Sequence, residues 1–403
     1  MSGGILLSSE RFRYWAIDYE RHECTVITAD GQKHSRKLSS PPLPDNELAS
    51  SVFDWENWWV ISTTRRGDTI ISEAYSPVST DKGRPAIYLD QNHWSTVAWA
   101  MVDPSKVANK DELDAALRVV SLARDAGIVL PLSSAHFVET NPLYGDRRYN
   151  LGVAMAQLSG GWELRSPMAV WENEVAVKLA QHTGRPLPAF SQLPVVTTEP
   201  QAFLSGGTRA YETDSDWNLF QMVLSEPSIT LSVLIDSDSE PKAPIPRWVD
   251  RNQQITEYFA DAHLSPAERR RQAAGLFWMD NIDVLAKAAL RVAADPLCVA
   301  QSVEPLLRQT ESMPFVANLS SLFGLRYLDR QTRWKHNDFI DMMFLSCGAA
   351  YCDYVVAERH TGTQLRRAQE RRGESSNVFV TLTAMVEALE KDGVKTSAER
   401  MST

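Results

Sequence analysis

Carboxylates recur in this 403-residue chain where apolar segments end and helices begin. Asp90 closes the apolar stretch Ile87–Leu89 in IYLDQNHWS, with Asn92 and Ser95 close behind it. Glu139 lies in SSAHFVET at i+3 from His136, so the two share a face of any helix formed there. The segment HNDFIDMMFLSCGAAYCDYVVAERH carries Asp338 and Asp341 at i,i+3, with Asp353 before and Glu358 after the apolar YVVA. Carboxylate oxygens are hard ligands that suit Mg²⁺ or Mn²⁺. Gathered without bases, they raise one another's pKa, and a divalent cation relieves that repulsion. A cation held this way can activate water and offset charge at a phosphodiester. Each segment also has a plainer reading. Asp90, Asn92, Asp338 and Asp341 suit helix caps, and Glu139 suits dipole compensation. Acids at both ends of one buried strand are harder to read as caps.

Basic residues lie beside these acids. Arg333 and Lys335 precede Asp338, and Arg359, Arg366 and Arg367 open a segment with five arginines against the single acid Glu370. Such a stripe suits phosphate contact, although a solvated helix face has the same composition. Asn92 and Ser95 could bind water, metal or phosphate. His93, His136, His336 and His360 flank the acidic motifs, and His136 is the strongest candidate for a substrate or water contact.

The elements that must position these residues fall into three stretches. Residues 1–80 read as a β-rich module: strands at Arg11–Tyr19 and Cys24–Ala29, then a hairpin of Trp58–Thr64 and Thr69–Tyr75 around Arg65-Arg66-Gly67-Asp68. The Pro-rich Ser39–Asn46 separates the two pairs. Across 84–183 short apolar strands alternate with helices: Ala86–Leu89, Asp111–Ala126, Ile128–Leu132, a helix after Ser133, Trp162–Arg165 and Met168–His182. That rhythm predicts an α/β fold with a parallel sheet and helices on both faces. Residues 184–332 read as a mostly helical insertion. Its Ser265-Pro266-Ala267-Glu268 capping box opens a helix predicted to run to Val292. The α/β rhythm returns over 333–395, with a helix from Asn337, the strand Tyr354–Ala357, the basic helix Arg359–Arg372, and a last strand and helix.

At YLDxN, the helix-borne Glu139, NDxxD and YxDxVVxER, residues 84–182 and 333–392 resemble the PIN-like nuclease superfamily. The resemblance implies a discontinuous core, 84–183 with 333–395, whose acids cluster at strand ends, bind Mg²⁺ or Mn²⁺ and hydrolyse phosphodiesters, most often in RNA. Carried over, Asp90 matches the first-strand acid, Glu139 the helix acid, and Asp338 or Asp341 the late-helix acid. Glu358 sits where many members carry a final Asp, with Asp353 in support. The Glu in place of Asp, the Arg359 beside it and the large insertion depart from the family pattern, so substrate choice does not carry over.

Composition narrows the partners. Lysines and arginines number 41 against 51 acids, a net charge of −10, which excludes a uniformly basic DNA-coating protein but not a local basic patch. No apolar run reaches the ~18 residues of a membrane span, and the start MSGGILLSSERF lacks a basic leader, so no membrane association or secretion is expected. Cys24, Cys298, Cys347 and Cys352 show no CxxC spacing, which argues against a zinc site or a disulfide framework and fits a cytoplasmic protein. The leading expectation is a metal-dependent RNase, in keeping with a toxin or antiviral effector. A regulatory protein or a second copy is expected to dock through the insertion or the β-module. The competing expectations are a DNase or structure-specific nuclease with the same acids, and a non-catalytic PIN-like scaffold that binds RNA or protein.

Overall fold

Turns with glycine in the left-handed region allow the N-terminal residues to form a sheet. Gly31 (φ 86°) turns β2 into β3, and Gly67 (φ 95°) turns β5 into β6. In the computed structural model, which describes residues 12–39, 47–74, 83–187, 194–199, 202–203, 226–235, 246–292 and 304–401, six antiparallel strands run in the order β3-β2-β1-β4-β5-β6. They are β1 (Phe12–Asp18), β2 (Glu23–Thr28), β3 (Lys33–Lys37), β4 (Leu48–Asp54), β5 (Trp59–Thr64) and β6 (Thr69–Glu73). Two predicted strand pairs thus become one sheet, joined where β1 pairs with β4. β3 and β4 carry weak sequence signals. Every residue of β3, KHSRK, is exposed, and such a charged edge discourages further strand addition. The predicted Pro-rich break at Ser39–Asn46 falls mostly outside the described residues, as do large parts of the loops around 184–200 and 236–246.

The chain divides into two compact units. Unit 1 comprises Met1–Leu164, Val196–Pro241 and Val386–Thr403, and unit 2 comprises Arg165–Val195 and Lys242–Met385. The segments 84–183 and 333–395 are each divided between the units.

In unit 1 the antiparallel sheet buries one face, where Trp15, Phe53 and Val60 are successive cross-strand partners and Phe53 packs with Trp55. Tyr149 fastens this sheet to the helices, bonding Thr64 Oγ1 at 2.7 Å and Asp68 Oδ2 at 2.6 Å. Beyond it lies a short parallel arrangement. β7 (Ile87–Leu89) is preceded by a parallel bridge between Ala86 and Val129, and Leu132 bridges in parallel to β8 (Glu163–Leu164). β9 (Val196–Thr197) closes this arrangement antiparallel to β8. The apolar side chains here are buried without alternation, as in a sheet covered on both sides. The helices are α1 (Gln91–Val102), α2 (Lys110–Arg124), α3 (Ser134–Thr140) and α4 (Gly145–Ser159). Asn109 caps α2 by accepting from the backbone N–H groups of Asp111 and Glu112. The sequence reading did not anticipate α4. Its Gly152 allows close approach to helix Glu226–Ile235, since a Cβ there would meet Ile235 Cγ2 at 2.8 Å. The predicted frayed end instead carries helix Ser397–Met401, held by Arg118 and Glu399 at 2.8 Å.

Unit 2 is built around helices. α5 (Pro167–Thr183) is followed by α6 (Pro246–Asp261), α7 (Pro266–Asp280), α8 (Ile282–Arg291) and α9 (Pro314–Leu328). The helix predicted from Ser265 to Val292 is broken at Asn281, which ends α7 and starts α8. The α5 residues face these helices. Trp171 stacks on Phe277 with ring centroids 5.4 Å apart, and buried Glu174 accepts from the backbone N–H groups of Phe315 and Val316, capping α9. Then come α10 (Asp338–Tyr351), β10 (Tyr354–Val356), α11 (Arg359–Arg371) and β11 (Val378–Phe379), with β10 and β11 parallel. The protein is therefore mixed α/β. The expected extensive parallel sheet gives way to parallel pieces of two or three residues, and the largest sheet is antiparallel.

Candidate functional site

Asp90 leaves the carboxyl end of β7 and caps α1, its Oδ1 accepting from Gln91 N–H at 2.8 Å. The carbonyl just before it, Leu89 O, is 2.8 Å from His136 Nε2. On the other side of the ring, Nδ1 lies 3.1 Å from Ser133 N. A backbone N–H must donate, so Nδ1 accepts and Nε2 carries the proton that is donated to Leu89. Burial lowers the His136 pKa to about 4, which keeps the ring neutral near pH 7. Tyr88 stacks on the imidazole at 5.3 Å, and its hydroxyl is 2.9 Å from Ser133 Oγ.

A second hydrogen bond runs beside the first. Gln91 Nε2 donates to Thr140 Oγ1 at 2.9 Å, and both side chains are buried. Leu89 and Gln91 flank Asp90, while His136 and Thr140 flank Glu139 in segment 136–140. The two bonds therefore tie the segment that carries Glu139 to the chain on either side of Asp90, at the carboxyl end of β7. Both acids are half-buried. His136, expected as a substrate contact, is 1% exposed, and both of its ring nitrogens bond to backbone groups. Asn92 is exposed, and Ser95 borders a small recess with Ala98, Trp99, Arg147, Asn150 and Leu151.

The acids of unit 2 are held differently. Asp338 Oδ2 pairs with the guanidinium of Arg326, which is 3% exposed, and also accepts from Lys335 N–H at 2.6 Å. Burial lowers the Arg326 pKa, while Asp338, Asp341 and Asp329 oppose that shift. The guanidinium lies 4.5 Å from the Trp334 ring centroid. Expected as a metal ligand, Asp338 is thus engaged as the counter-ion of a buried arginine. Asp341, one turn later on α10, is half-buried. Asp353 and Glu358 are exposed at the two ends of β10, whose side chains are buried.

Of the predicted basic contacts, Arg333, Lys335, Arg359, Arg366 and Arg367 are all exposed. Arg359 and Arg367 line an open cleft of about 400 Å³ with His360, Thr363, Gln364 and Asp329. Arg366 does not line it. Arg372, at the end of the same basic segment, is a fastener that donates to Asn318 Oδ1 and Glu374 at 2.6 and 2.7 Å.

The sequence reading missed Gln91 and Thr140, because their bond joins residues 49 positions apart and neither residue type signals a site. It also missed Thr363 and Gln364, which a helical projection from Arg359 and His360 places on the cleft face. Among the described residues, no group of three His, Cys, Asp or Glu side chains is placed to hold a metal ion. No family model, curated protein or solved structure matches the chain.

Proposed function

We propose that the protein is a metal-dependent phosphodiester hydrolase acting on nucleic acid, RNA in particular, with a PIN-like core. The observation that supports this most is the bracketing of Asp90 and Glu139 by the Leu89–His136 and Gln91–Thr140 bonds. The bonds tie the α3 segment that carries Glu139 to the chain on either side of Asp90, at the carboxyl end of a buried strand, where α/β folds place their sites.

The donor chemistry fits Mg²⁺ or Mn²⁺. Such ions are commonly held by one or two carboxylates, waters and substrate phosphate rather than by an all-protein cage. Asp90 and Glu139 would hold the ion, whereas the Arg326 pair removes Asp338 from that set. Asp341, Asp353 and Glu358 belong to the other unit and are proposed as acids there. When bound, the ion supplies Lewis acidity toward a phosphoryl oxygen and acidifies water. The chain's own contribution is positioning. His136 stays neutral and fixes the carbonyl before Asp90, and Gln91 fixes the backbone after it. Arg359 and Arg367 supply cationic donors for phosphate. We further propose a cytoplasmic location on the strength of the cysteine usage, and a toxin or antiviral effector as the setting.

A second reading, an RNA-binding scaffold without catalysis, is favoured by the neutralised Asp338. Incubating wild type, Asp90→Asn and Glu139→Gln with single-stranded RNA, single-stranded DNA and duplex DNA in Mn²⁺ separates the readings. The nuclease reading expects RNA cleavage that falls at least 100-fold in both variants. Inactivity of the wild type on every substrate supports the scaffold, and DNA cleavage without RNA cleavage supports the DNase alternative.

A further inference from the structure

The arginines of the basic segment do not share one role. Arg372 is tied to Asn318, Ser321 and Glu374, whereas Arg359 and Arg367 form no ion pair among the described residues and both line the cleft. They stand at i and i+8 on α11 with Thr363 midway, two turns and about 12 Å along the helix. His360 and Gln364 fill the adjacent row, their side-chain nitrogens 3.3 Å apart. At about 400 Å³ the cleft is of small-ligand size.

One lining residue runs against this charge. Asp329, exposed after the end of α9, offers a carboxylate in an otherwise cationic and neutral lining. Its Oδ1 accepts from Gln331 N–H at 2.9 Å, and Oδ2 has no hydrogen-bond partner among the described residues. A carboxylate repels a phosphate but accepts well from a sugar hydroxyl. The 2′-hydroxyl is the donor that separates RNA from DNA.

We propose that this cleft binds one ribonucleotide unit of a single strand, with Arg359 and Arg367 on backbone phosphates and Asp329 on the ribose 2′-hydroxyl. This inference rests on the nucleic-acid reading above and adds to it the residue that selects RNA. Arg366, pointing elsewhere on the same helix, is outside the cleft and contributes only general charge.

The test is fluorescence anisotropy with the full chain, using a 5′-labelled single-stranded RNA and its DNA counterpart in EDTA, so that no metal-dependent cutting occurs. Arg359→Ala/Arg367→Ala is expected to weaken RNA binding at least 10-fold and to reduce the salt slope by about 1.4, the loss of two single-strand phosphate contacts. The exposed pair Arg270→Ala/Arg271→Ala, with the same charge change, is expected to bind RNA as wild type does. Asp329→Asn keeps the Oδ1 acceptor of its turn, and is expected to reduce the RNA-over-DNA preference at least 5-fold with an unchanged melting temperature. Equal losses from the two arginine pairs, or no loss from the cleft pair, would overturn the cleft. An unchanged RNA-over-DNA ratio in Asp329→Asn would overturn its role. The cleavage assay with Asp90→Asn reads the catalytic proposal separately: cleft variants that bind normally while Asp90→Asn blocks cleavage refute only the cleft. Cleft variants that lose RNA while Asp90→Asn cuts normally refute only the catalytic site.

Discussion

Asp90 and Asp338 look alike in the sequence, each an acid next to a short helix-opening motif, yet the two units treat them in opposite ways. Close to Asp90 along the chain and on the facing helix lie buried neutral groups. His136 is held uncharged by burial, Gln91 and Thr140 bond each other, and Asp90 is a half-buried cap. Around Asp338 a buried arginine neutralises the carboxylate within the fold. A carboxylate facing a buried guanidinium already has its counter-ion. The comparison teaches that a candidate ligand is defined by its partner, and here the partner of Asp338 lies 12 residues upstream.

Breaking the Arg326–Asp338 pair should have the largest effect on stability. Removing one member of a buried pair leaves the other uncompensated, so Asp338→Asn and Arg326→Gln should each lose about 3–5 kcal/mol in urea unfolding. A loss within about 0.5 kcal/mol would mean that Asp338 is available as a ligand after all.

The next effect is a pH dependence set by His136. Its folded pKa of about 4 lies below the unfolded value of 6.5. The unfolded state therefore takes up the proton first as pH falls. The stability associated with the neutral ring is full above pH 6.5 and declines as pH approaches 4, by about 3 kcal/mol across the window. His136→Gln should be less stable at neutral pH and should show a flatter stability profile between pH 6.5 and 4. An unaltered slope would place the titration elsewhere.

A smaller effect comes from the second bond of the bracket. Thr140→Val removes the acceptor of Gln91 and leaves a buried amide without its partner, at a cost of about 1–3 kcal/mol. It should reduce Mn²⁺-dependent cleavage without altering RNA binding in EDTA. Asp90→Asn is expected to change stability least. It keeps an oxygen that can accept from Gln91 N–H, so its apo stability should match wild type within about 1 kcal/mol.

What the sequence makes legible follows from how local each signal is. The capping box at Ser265, the apolar YVVA and the helix after Asn337 are short-range patterns, and the structure contains them at α7, β10 and α10 respectively. β3 and α4 escape because a fully exposed charged strand has no alternation, and because small residues in GDRRYNLGVAMAQLS obscure the apolar face. The residues of the bracket were half legible. Asp90 and Glu139 stand out by type, but the burial of His136 does not, because its two hydrogen bonds reach backbone groups that no side-chain pattern encodes. The division of α5 from the segment before it also depends on distant partners, Phe277 on α7 and the first N–H groups of α9.

The central claim is that Asp90 and Glu139 form a cation site and Asp338 does not. A Mn²⁺ titration followed by electron paramagnetic resonance, with the full chain and no nucleic acid, tests it most directly. Wild type should bind Mn²⁺ and quench the free-ion signal, and Asp90→Asn and Glu139→Gln should each weaken that binding at least 10-fold. Asp338→Asn, kept below its melting temperature, should bind as wild type does. Equal binding by wild type and Asp90→Asn, or loss in Asp338→Asn alone, would contradict the account.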